Sequence, residues 1–373
     1  MKSYNHLWEE FISYKNIALA IKNASKGKKN RKSVKRWLDD KNLILKIRKY
    51  AENFHNAKHA PKQIYDGIQR KKRIIIVPTF PEQVIHHMVV NVLKPIFMRG
   101  MYEHSYGSIP NRGGHKGMKQ IKKWIKHGGK NCKYCLKMDI KKYFESIPHD
   151  IYLAKLKSII HDKRFMGILE ELTSVITGGK GIPLGFYLSQ WTANWYLHDL
   201  DHYIKEELRA RYYIRYMDDM VVFGANKRKL HKIRAAIKDY LQDRLGLEMK
   251  HNWQVFLFDY TKSGKTKGRF LDFMGFKFYR NRITLRKSIM IKATRKAKKI
   301  YKAEKPSIYS IRQVLAYLGW IDATDAYGMY ENYIKPFVNF QQCKRRISAY
   351  DRRQKGEKDE FNMEKVRMHQ QTA

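Results

Sequence analysis

The stretch Arg211-Tyr212-Tyr213-Ile214-Arg215-Tyr216-Met217-Asp218-Asp219-Met220-Val221-Val222-Phe223-Gly224 decides the fold. Two runs of aromatic, β-branched and other apolar residues flank a Met-Asp-Asp centre, a pattern that predicts strand, tight turn and strand. Asp is a favoured turn residue, and taken alone an Asp pair in a hairpin turn is ordinary solvated surface. The flanks argue against that. A surface turn has no use for Tyr216 before the pair and Met220-Val221-Val222-Phe223 after it, so the carboxylates are expected to be half-buried. Like charges side by side repel, more strongly as water is withdrawn. The arrangement makes sense if divalent cations sit between the carboxylates, because hard oxygen ligands suit Mg²⁺ in company with phosphate oxygens.

The chain offers a third carboxylate. Cys135-Leu136-Lys137-Met138-Asp139 predicts a short strand ending in Asp139, after which Ile140 to Pro148 turns away. By itself Asp139 is equally readable as a helix N-cap. Together with Asp218 and Asp219 it supplies what two divalent ions ~3.5–4 Å apart need to activate a 3′-hydroxyl and hold a leaving pyrophosphate.

Composition points to a polyanionic partner. The 373 residues include 77 Lys plus Arg against 34 Asp plus Glu, a net charge of +43. That excess exceeds what solubility needs and fits nucleic acid; a ribosomal-type or membrane-surface protein is the plainer alternative. Aromatic residues at 13%, many of them interleaved Tyr, favour a folded, base-stacking protein over a basic tail. No run of ~18 apolar residues predicts a membrane span, and the N-terminus lacks a signal-peptide core, so a cytoplasmic protein with no membrane partner is expected. Cys132 and Cys135 have metal-like spacing, but no second pair accompanies them; two reduced thiols are the expectation over zinc.

Outward from the hairpin, residues up to about Tyr65 alternate apolar and basic positions at helical spacing, with Trp8, Phe11, Ile12 and Tyr14 on one face. Lys28, Lys29 and Arg31 lie in a basic patch, either phosphate contacts or a solvated charge run. Lys71 to Pro78 predicts a basic-headed strand, and about Pro81 to Phe97 a helix. Ser105 to Gly117 is a Gly-rich loop, carrying Arg112, where backbone can approach a phosphate. Gly178 to Gly185 is a second such loop opening a long helix, Phe186 to about Leu208, whose N-terminus suits a templating base or phosphate. Asp199 and Asp201, two apart on that helix, read as surface. Asn226 to Leu245 predicts an amphipathic helix. Phe270 to Tyr279 is apolar, with Gly275 permitting close backbone approach. From Leu285 to about Arg346 the chain reads as helical and basic, and Lys292, Arg295 and Lys299 are placed to track a duplex backbone. Beyond it a polar tail is expected to be disordered.

These pieces, in this order, resemble a reverse transcriptase of the bacterial non-LTR type over roughly Lys71 to Tyr279. The Tyr216-Met217-Asp218-Asp219 box and Asp139 five residues before Phe144 carry the resemblance. It implies an α/β chain with an α+β palm, a right-hand polymerase with fingers, palm and helical thumb. The expected divisions are a basic helical extension (1–70), fingers (71–134), palm (135–284, with a fingers insertion at about 150–185), thumb (285–346) and tail (347–373). The resemblance implies catalysis by Asp139, Asp218 and Asp219, with the Ile140 carbonyl as a further ligand to two Mg²⁺, Mn²⁺ being able to substitute. It implies nucleotide binding by Arg73, Tyr143, Phe144, Leu184, Gly185 and Gln190, with Phe144 as the gate that would clash with a 2′-hydroxyl. Nucleic-acid contacts are expected from Lys28, Lys29, Arg31, Arg112, Tyr216, Met217, Gly275, Lys292, Arg295 and Lys299. Partners would be an RNA template, a DNA or RNA primer and deoxynucleoside triphosphates, with a structured non-coding RNA and an accessory protein as further candidates.

Within the family, Ser189-Gln190, the short length and the 105–115 loop look most like enzymes of diversity-generating retroelements; antiphage-defence enzymes are close relatives. Group II intron enzymes match less well, since Leu184 stands where they carry Gln. Glu82-Gln83 also departs from the usual Asp-Arg pair. A non-catalytic RNA-binding protein would explain the charge but not the three carboxylates, and a DNA-templated polymerase would share the aromatic gate.

Overall fold

The N-terminal chain is helical where apolar residues recur at helical spacing and caps are supplied. The computed structural model describes residues 3–66, 71–262 and 265–353, and divides into two units, 1–269 and 270–373. Helix α1 (Leu7–Phe11) leads into α2 (Tyr14–Ser25), whose first turn is capped by Ser13 accepting from the Asn16 amide. Helices α3 (Lys32–Leu38) and α4 (Leu43–Glu52) follow. The helical reading fails at its end. Lys62–Asp66 is a strand, β1, paired antiparallel with β2 (Lys71–Ile75), so a hairpin crosses the expected boundary at residue 70. Its turn, 67–70, lies outside the described residues.

Helix α5 (Phe80–Met98) is the hub of the first half and is apolar nearly all round, with Val84, Ile85, Met88, Val89 and Leu93 fully buried. A helix of that kind must be enclosed, and α2, α4 and a later helix pack on it. Buried polar contacts fix the α2 side: Asn16 Nδ2 donates to the Phe11 and Met88 carbonyls, and Asn91 Nδ2 donates to Asn16 Oδ1 at 2.8 Å. Helix α6 (Gly114–His127) then delivers the chain to β3 (Tyr134–Met138).

Short helices α7 (Tyr143–Ser146), α8 (His149–Lys157) and α9 (Lys163–Ser174) precede α10 (Tyr187–Tyr196) and α11 (His198–His202). The single helix expected from Phe186 to Leu208 is thus broken, and it ends in a π-helical turn at Tyr203–Glu207. Strands β4 (Tyr212–Tyr216) and β5 (Asp219–Gly224) form the expected hairpin. Helix α12 (Lys227–Leu245) starts on an Asn226 cap and stops at Gly246, where φ is +59°. With β6 (Gln254–Leu257) the sheet has the order β4-β5-β3-β6, all antiparallel, with α12 packed on it. This is the α+β arrangement expected of a polymerase palm, and its core is continuous with that of the N-terminal helices.

The second unit begins with a three-stranded antiparallel sheet, Leu271–Phe273, Phe276–Phe278 and Ile283–Leu285, the middle strand being central. Helices at Lys287–Tyr301, Ile308–Asp322 and Tyr327–Tyr333 follow. Residues 340–353 are also helical, so a tail beginning at 347 is not what the structure shows; the rest of that tail, from 354, lies outside the described residues.

Candidate active site

Register brings the three carboxylates together. Met138 of β3 pairs with Met220 of β5, so Asp139, one residue on, faces Asp219. The Tyr216–Asp219 pair closes the hairpin over a two-residue turn of Met217 and Asp218. Both aspartates are half-buried, as the flanks predicted. Burial first, then the Asp139 carboxylate and then Asp219, pushes the Asp218 carboxyl up to about 7. Asp139 Oδ1 is buried without a hydrogen-bond partner, while Lys250 Nζ bonds Oδ2 of the same carboxylate. Asp139 and Asp219 both repel a charge on Asp218, a repulsion that a hard cation would relieve, although among the described residues no three His, Cys, Asp or Glu side chains are already gathered as a metal site. Ile140 bridges to Met249 through bonds from Lys141 N to Glu248 O and from Lys250 N to Asp139 O, which leave its own carbonyl unspent on that bridge.

The turn is held from behind. Met217 has φ +55°, a left-handed conformation that side chains seldom adopt and that surroundings must enforce. The segment at 104–107 runs beside β4: Arg215 N donates to His104 O, and Tyr106 N donates to Arg215 O. Gly107 then lies so close to the turn that a Cβ there would stand 2.5 Å from Met217 Cγ and 2.7 Å from Met217 N. The Gly-rich loop thus approaches the protein's own backbone at this point. Arg112, expected to contact nucleic acid, donates from Nη1 to the Tyr102 and Ser105 carbonyls and so braces the same loop.

Two cavities flank the Pro183-Leu184 strip. The first, about 390 Å³, is lined by Lys28, Arg31, Phe144, Gly185 and Gln190. The second, about 450 Å³, is lined by Lys72, Arg73, Lys180 and Ile182. Leu184 and Pro183 face both. The strip is tied to the end of β2 by Ile76 N donating to Leu184 O at 2.8 Å. Gly185 permits this: its φ is +112°, and a Cβ would stand 2.2 Å from the Ile76 carbonyl oxygen. Phe144 is held nearby, its carbonyl accepting from Ile182 N at 2.7 Å.

Several expected site residues stand elsewhere. Tyr143, grouped with Phe144, is buried and its hydroxyl is spent on the Ala193 carbonyl, because α7 turns only one of the two rings to the cavity. Lys29 is exposed beside Lys28 and does not line the cavity. The place where a Cβ of Gly275 would stand is filled by Ile289 and Trp320, so within its own unit this glycine serves a turn whose φ is +88°. Lys292, Arg295 and Lys299 share one side of their helix, away from buried Ala293, Ala297 and Ile300. Asp201, read as surface, is fully buried and paired with buried Arg215.

Other residues of the first cavity were not legible. His86 is fully buried against the Phe186 ring, neither of its nitrogens is hydrogen-bonded, and burial holds it down at about 3. Glu82 is also fully buried and is bonded to His59 at 2.7 Å, while Gln83 accepts from Lys28. Of the Glu82-Gln83 pair that departs from the usual Asp-Arg, Gln83 lines the cavity and Glu82 lies behind it on His59. Among the described residues no helix is long and apolar enough to cross a membrane.

The Schizosaccharomyces pombe "uncharacterized 91 kDa protein in cob intron" is 30% identical over 157 residues, 40% of this chain and 19% of that protein. The group II intron-encoded protein LtrA of Lactococcus lactis subsp. cremoris is 28% identical over 173 residues, 43% of this chain and 28% of that protein. Group II intron-encoded proteins, the poorer match by motif, are therefore among its relatives. The chain spans only 16% to 38% of the length of the curated relatives it matches. Among solved structures, apo telomerase from Candida Tropicalis, truncated from the C-terminal domain, superposes with a TM-score of 0.46 at 13% identity, covering 61% of this chain and 55% of that one. The family model described as reverse transcriptase (RNA-dependent DNA polymerase) matches residues 57–278, a span that holds all three converging carboxylates and both cavities' central strip. More than half of the sequence is thereby accounted for, and the chain belongs to the reverse transcriptase family.

Proposed function

We propose that this chain is an RNA-directed DNA polymerase that extends a DNA or RNA primer on an RNA template with deoxynucleoside triphosphates. The observation that carries the reading is the convergence of Asp139, Asp218 and Asp219 at the ends of β3, β4 and β5. Enzymes of the family generally use divalent metal ions. Two Mg²⁺, held by these carboxylates and the Ile140 carbonyl, would supply charge for activating the primer 3′-hydroxyl and stabilising the leaving pyrophosphate. The chain's own residues would do the rest. Arg73 and Lys72, on the β2 side of the Pro183-Leu184 strip, would offer their cations to the triphosphate. Phe144, on the other side, sets a ring against the sugar and disfavours a 2′-hydroxyl. Lys28 and Arg31 hold template phosphate at the first cavity, and the basic helix with Lys292, Arg295 and Lys299 holds duplex backbone.

Within the family the reading that fits best is a retroelement enzyme of the diversity-generating type, because apolar Leu184 occupies the strip between the two cavities. An apolar residue there makes no hydrogen bond to the base pair, so misinsertion is penalised less.

The test is primer extension on an RNA template with Mg²⁺, comparing the wild type with Asp218→Asn/Asp219→Asn, followed by sequencing of the product. Template-dependent DNA from the wild type alone supports the polymerase, and errors clustered at template adenines support diversity generation. Accurate product would move the assignment to a defence-type enzyme. Absence of product from both proteins, with RNA binding retained, would favour a non-catalytic RNA-binding protein. Leu184→Gln with an unchanged error rate would refute the role given to Leu184.

A further inference from the structure

Among the described residues, the best-satisfied buried charge lies behind the Met217–Asp218 turn and lines neither cavity. Arg215 and Asp201 are both 0% exposed. Burying an ion pair is a poor way to gain stability, since a hydrophobic pair of like volume often does as well or better; in some proteins such a pair serves instead to fix one arrangement of the chain. The Arg215 guanidinium uses every donor it has. Nε donates to Asp201 Oδ1 at 2.8 Å and Nη2 to Asp201 Oδ2 at 2.6 Å. The second Nη2 hydrogen goes to the Asn194 carbonyl at 3.2 Å, and Nη1 donates to Asn194 Oδ1 at 3.3 Å. The last donor is the informative one: Nη1 reaches the Met217 carbonyl at 3.1 Å. That carbonyl belongs to the peptide joining Met217 to Asp218, the carboxylate at the tip of the turn.

Asn194 closes the network. Its Nδ2 donates to the Gly107 carbonyl at 2.8 Å and lies 3.3 Å from Met217 Sδ. Tyr213 contributes to the buried carboxylate alone, donating from its hydroxyl to Asp201 Oδ1 at 2.7 Å. The left-handed Met217 is thus gripped by its carbonyl from below and by its side chain from one flank, and both grips lead to Asp201 on α11.

We propose that Arg215 is a positioning residue: locked by Asp201 and Asn194, it holds the Met217–Asp218 peptide so that the Asp218 carboxylate is set for a divalent ion. The inference rests on the metal-dependent reading above, and its test separates the two. Mn²⁺ binding to the full chain, followed by electron paramagnetic resonance, reads the geometry without turnover; primer extension and urea denaturation accompany it. Arg215→Lys keeps the charge and one bond to Asp201 but cannot also span to Met217 and Asn194. It is expected to bind Mn²⁺ at least tenfold more weakly and to lose tenfold or more in kcat, with KM for deoxynucleotide within threefold of wild type. Tyr213→Phe removes a bond to the same buried carboxylate without touching the turn. It is expected to lose stability while keeping kcat and Mn²⁺ affinity within twofold. Should Arg215→Lys fail to fold, Asn194→Ala, which releases Arg215 Nη1 and the Gly107 carbonyl, is expected to show the same split.

Wild-type Mn²⁺ affinity in a folded Arg215→Lys protein would overturn the proposal, as would activity losses in both variants that track only their losses of stability. If the wild type binds Mn²⁺ but extends no primer, the polymerase reading fails and the Arg215 proposal is still decided by the Mn²⁺ affinities. If the wild type binds no Mn²⁺, both fall.

Discussion

Substituting Gly107 by Ala tests whether the turn tolerates displacement. Gly107 is buried, and no left-handed conformation requires a glycine there; only space does. The new methyl would stand 2.5 Å from Met217 Cγ, 2.8 Å from Sδ and 2.7 Å from the backbone nitrogen, where ordinary contact begins at 3.4 Å. Met is flexible, and its side chain alone could retreat. The backbone nitrogen cannot, so the turn or the 104–107 segment must shift by about 0.7 Å. The segment is pinned by two hydrogen bonds to Arg215, which passes part of the displacement to the peptide that carries Asp218. Misplacement of a reacting group by about 1 Å can cost ~10²-fold in rate, and overpacking costs ~1–3 kcal/mol of stability. Gly107→Ala is therefore expected to lose roughly 10-fold or more in single-turnover extension, with RNA affinity unchanged. Adding Met217→Ala relieves the side-chain clash but not the backbone one and should not restore the rate. A folded Gly107→Ala protein extending within twofold of wild type would refute the reasoning, because it would show that the backbone contact is absorbed without reaching Asp218.

Other expectations follow from the same structure. Gly185→Ala combines a φ of +112° with a 2.2 Å approach to the Ile76 carbonyl; it is expected to release the Pro183-Leu184 strip, abolish nucleotide binding and sharpen proteolysis near residue 76, and wild-type nucleotide affinity would contradict this. His86 is neutral in the fold at about 3 against an ordinary 6.5. The unfolded chain takes up the proton below pH 6.5 and the folded chain does not, so stability is full above that pH and falls on acidification by up to ~1.4 kcal/mol per unit. Urea denaturation from pH 7.5 to 5 should show a shallower acid limb for His86→Leu; an identical slope would count against it. Lys250→Met removes the cation on Asp139 and should cost about 1 kcal/mol in chelator, a loss that Mn²⁺ reverses; equal losses with and without Mn²⁺ would place the lysine's role elsewhere. Replacing Lys292, Arg295 or Lys299 by Ala should lower the salt dependence of RNA–DNA duplex binding by about one phosphate contact each, and an unchanged slope would remove that residue from the track.

The hairpin and its carboxylates were legible because the unbroken apolar and aromatic runs on either side of Met217-Asp218-Asp219 are a local signal, and Asp139 was legible because it directly follows the apolar run of β3. Helix α12 was legible from its Asn226 cap and apolar spacing. Strand β1 was not: Lys62-Gln63-Ile64-Tyr65-Asp66 has little apolar alternation, and its pairing with β2 is what makes it a strand. Asp201 was misread because a spacing of two was judged on one unbroken helix. The chain instead breaks at Leu197 and again at the π-helical turn, and the partner, Arg215, lies on a strand 14 residues on. A cation and an anion that far apart in sequence leave no local pattern. His86 was hidden for the opposite reason, since a His-His pair within an otherwise apolar helix does not say which of the two rings is enclosed.

The seam between the N-terminal helices and α5 bears on how the protein can be cut. Similarity to the family begins at residue 57, yet Ile17, Ala20, Ala24, Ile47 and Ala51 are fully buried on the earlier side of that boundary. Helices α2 and α4 cover a face of α5 that is otherwise continuous oil, and Asn16 ties the two sides with bonds that water would have to replace. Kinship and autonomy therefore have different borders. A product trimmed to the region of recognisable ancestry would present Val84, Met88 and their neighbours to solvent, a patch of the kind that drives association. Fusion points, split halves and shortened versions belong ahead of Leu7 or out in the second unit, not at the edge of similarity.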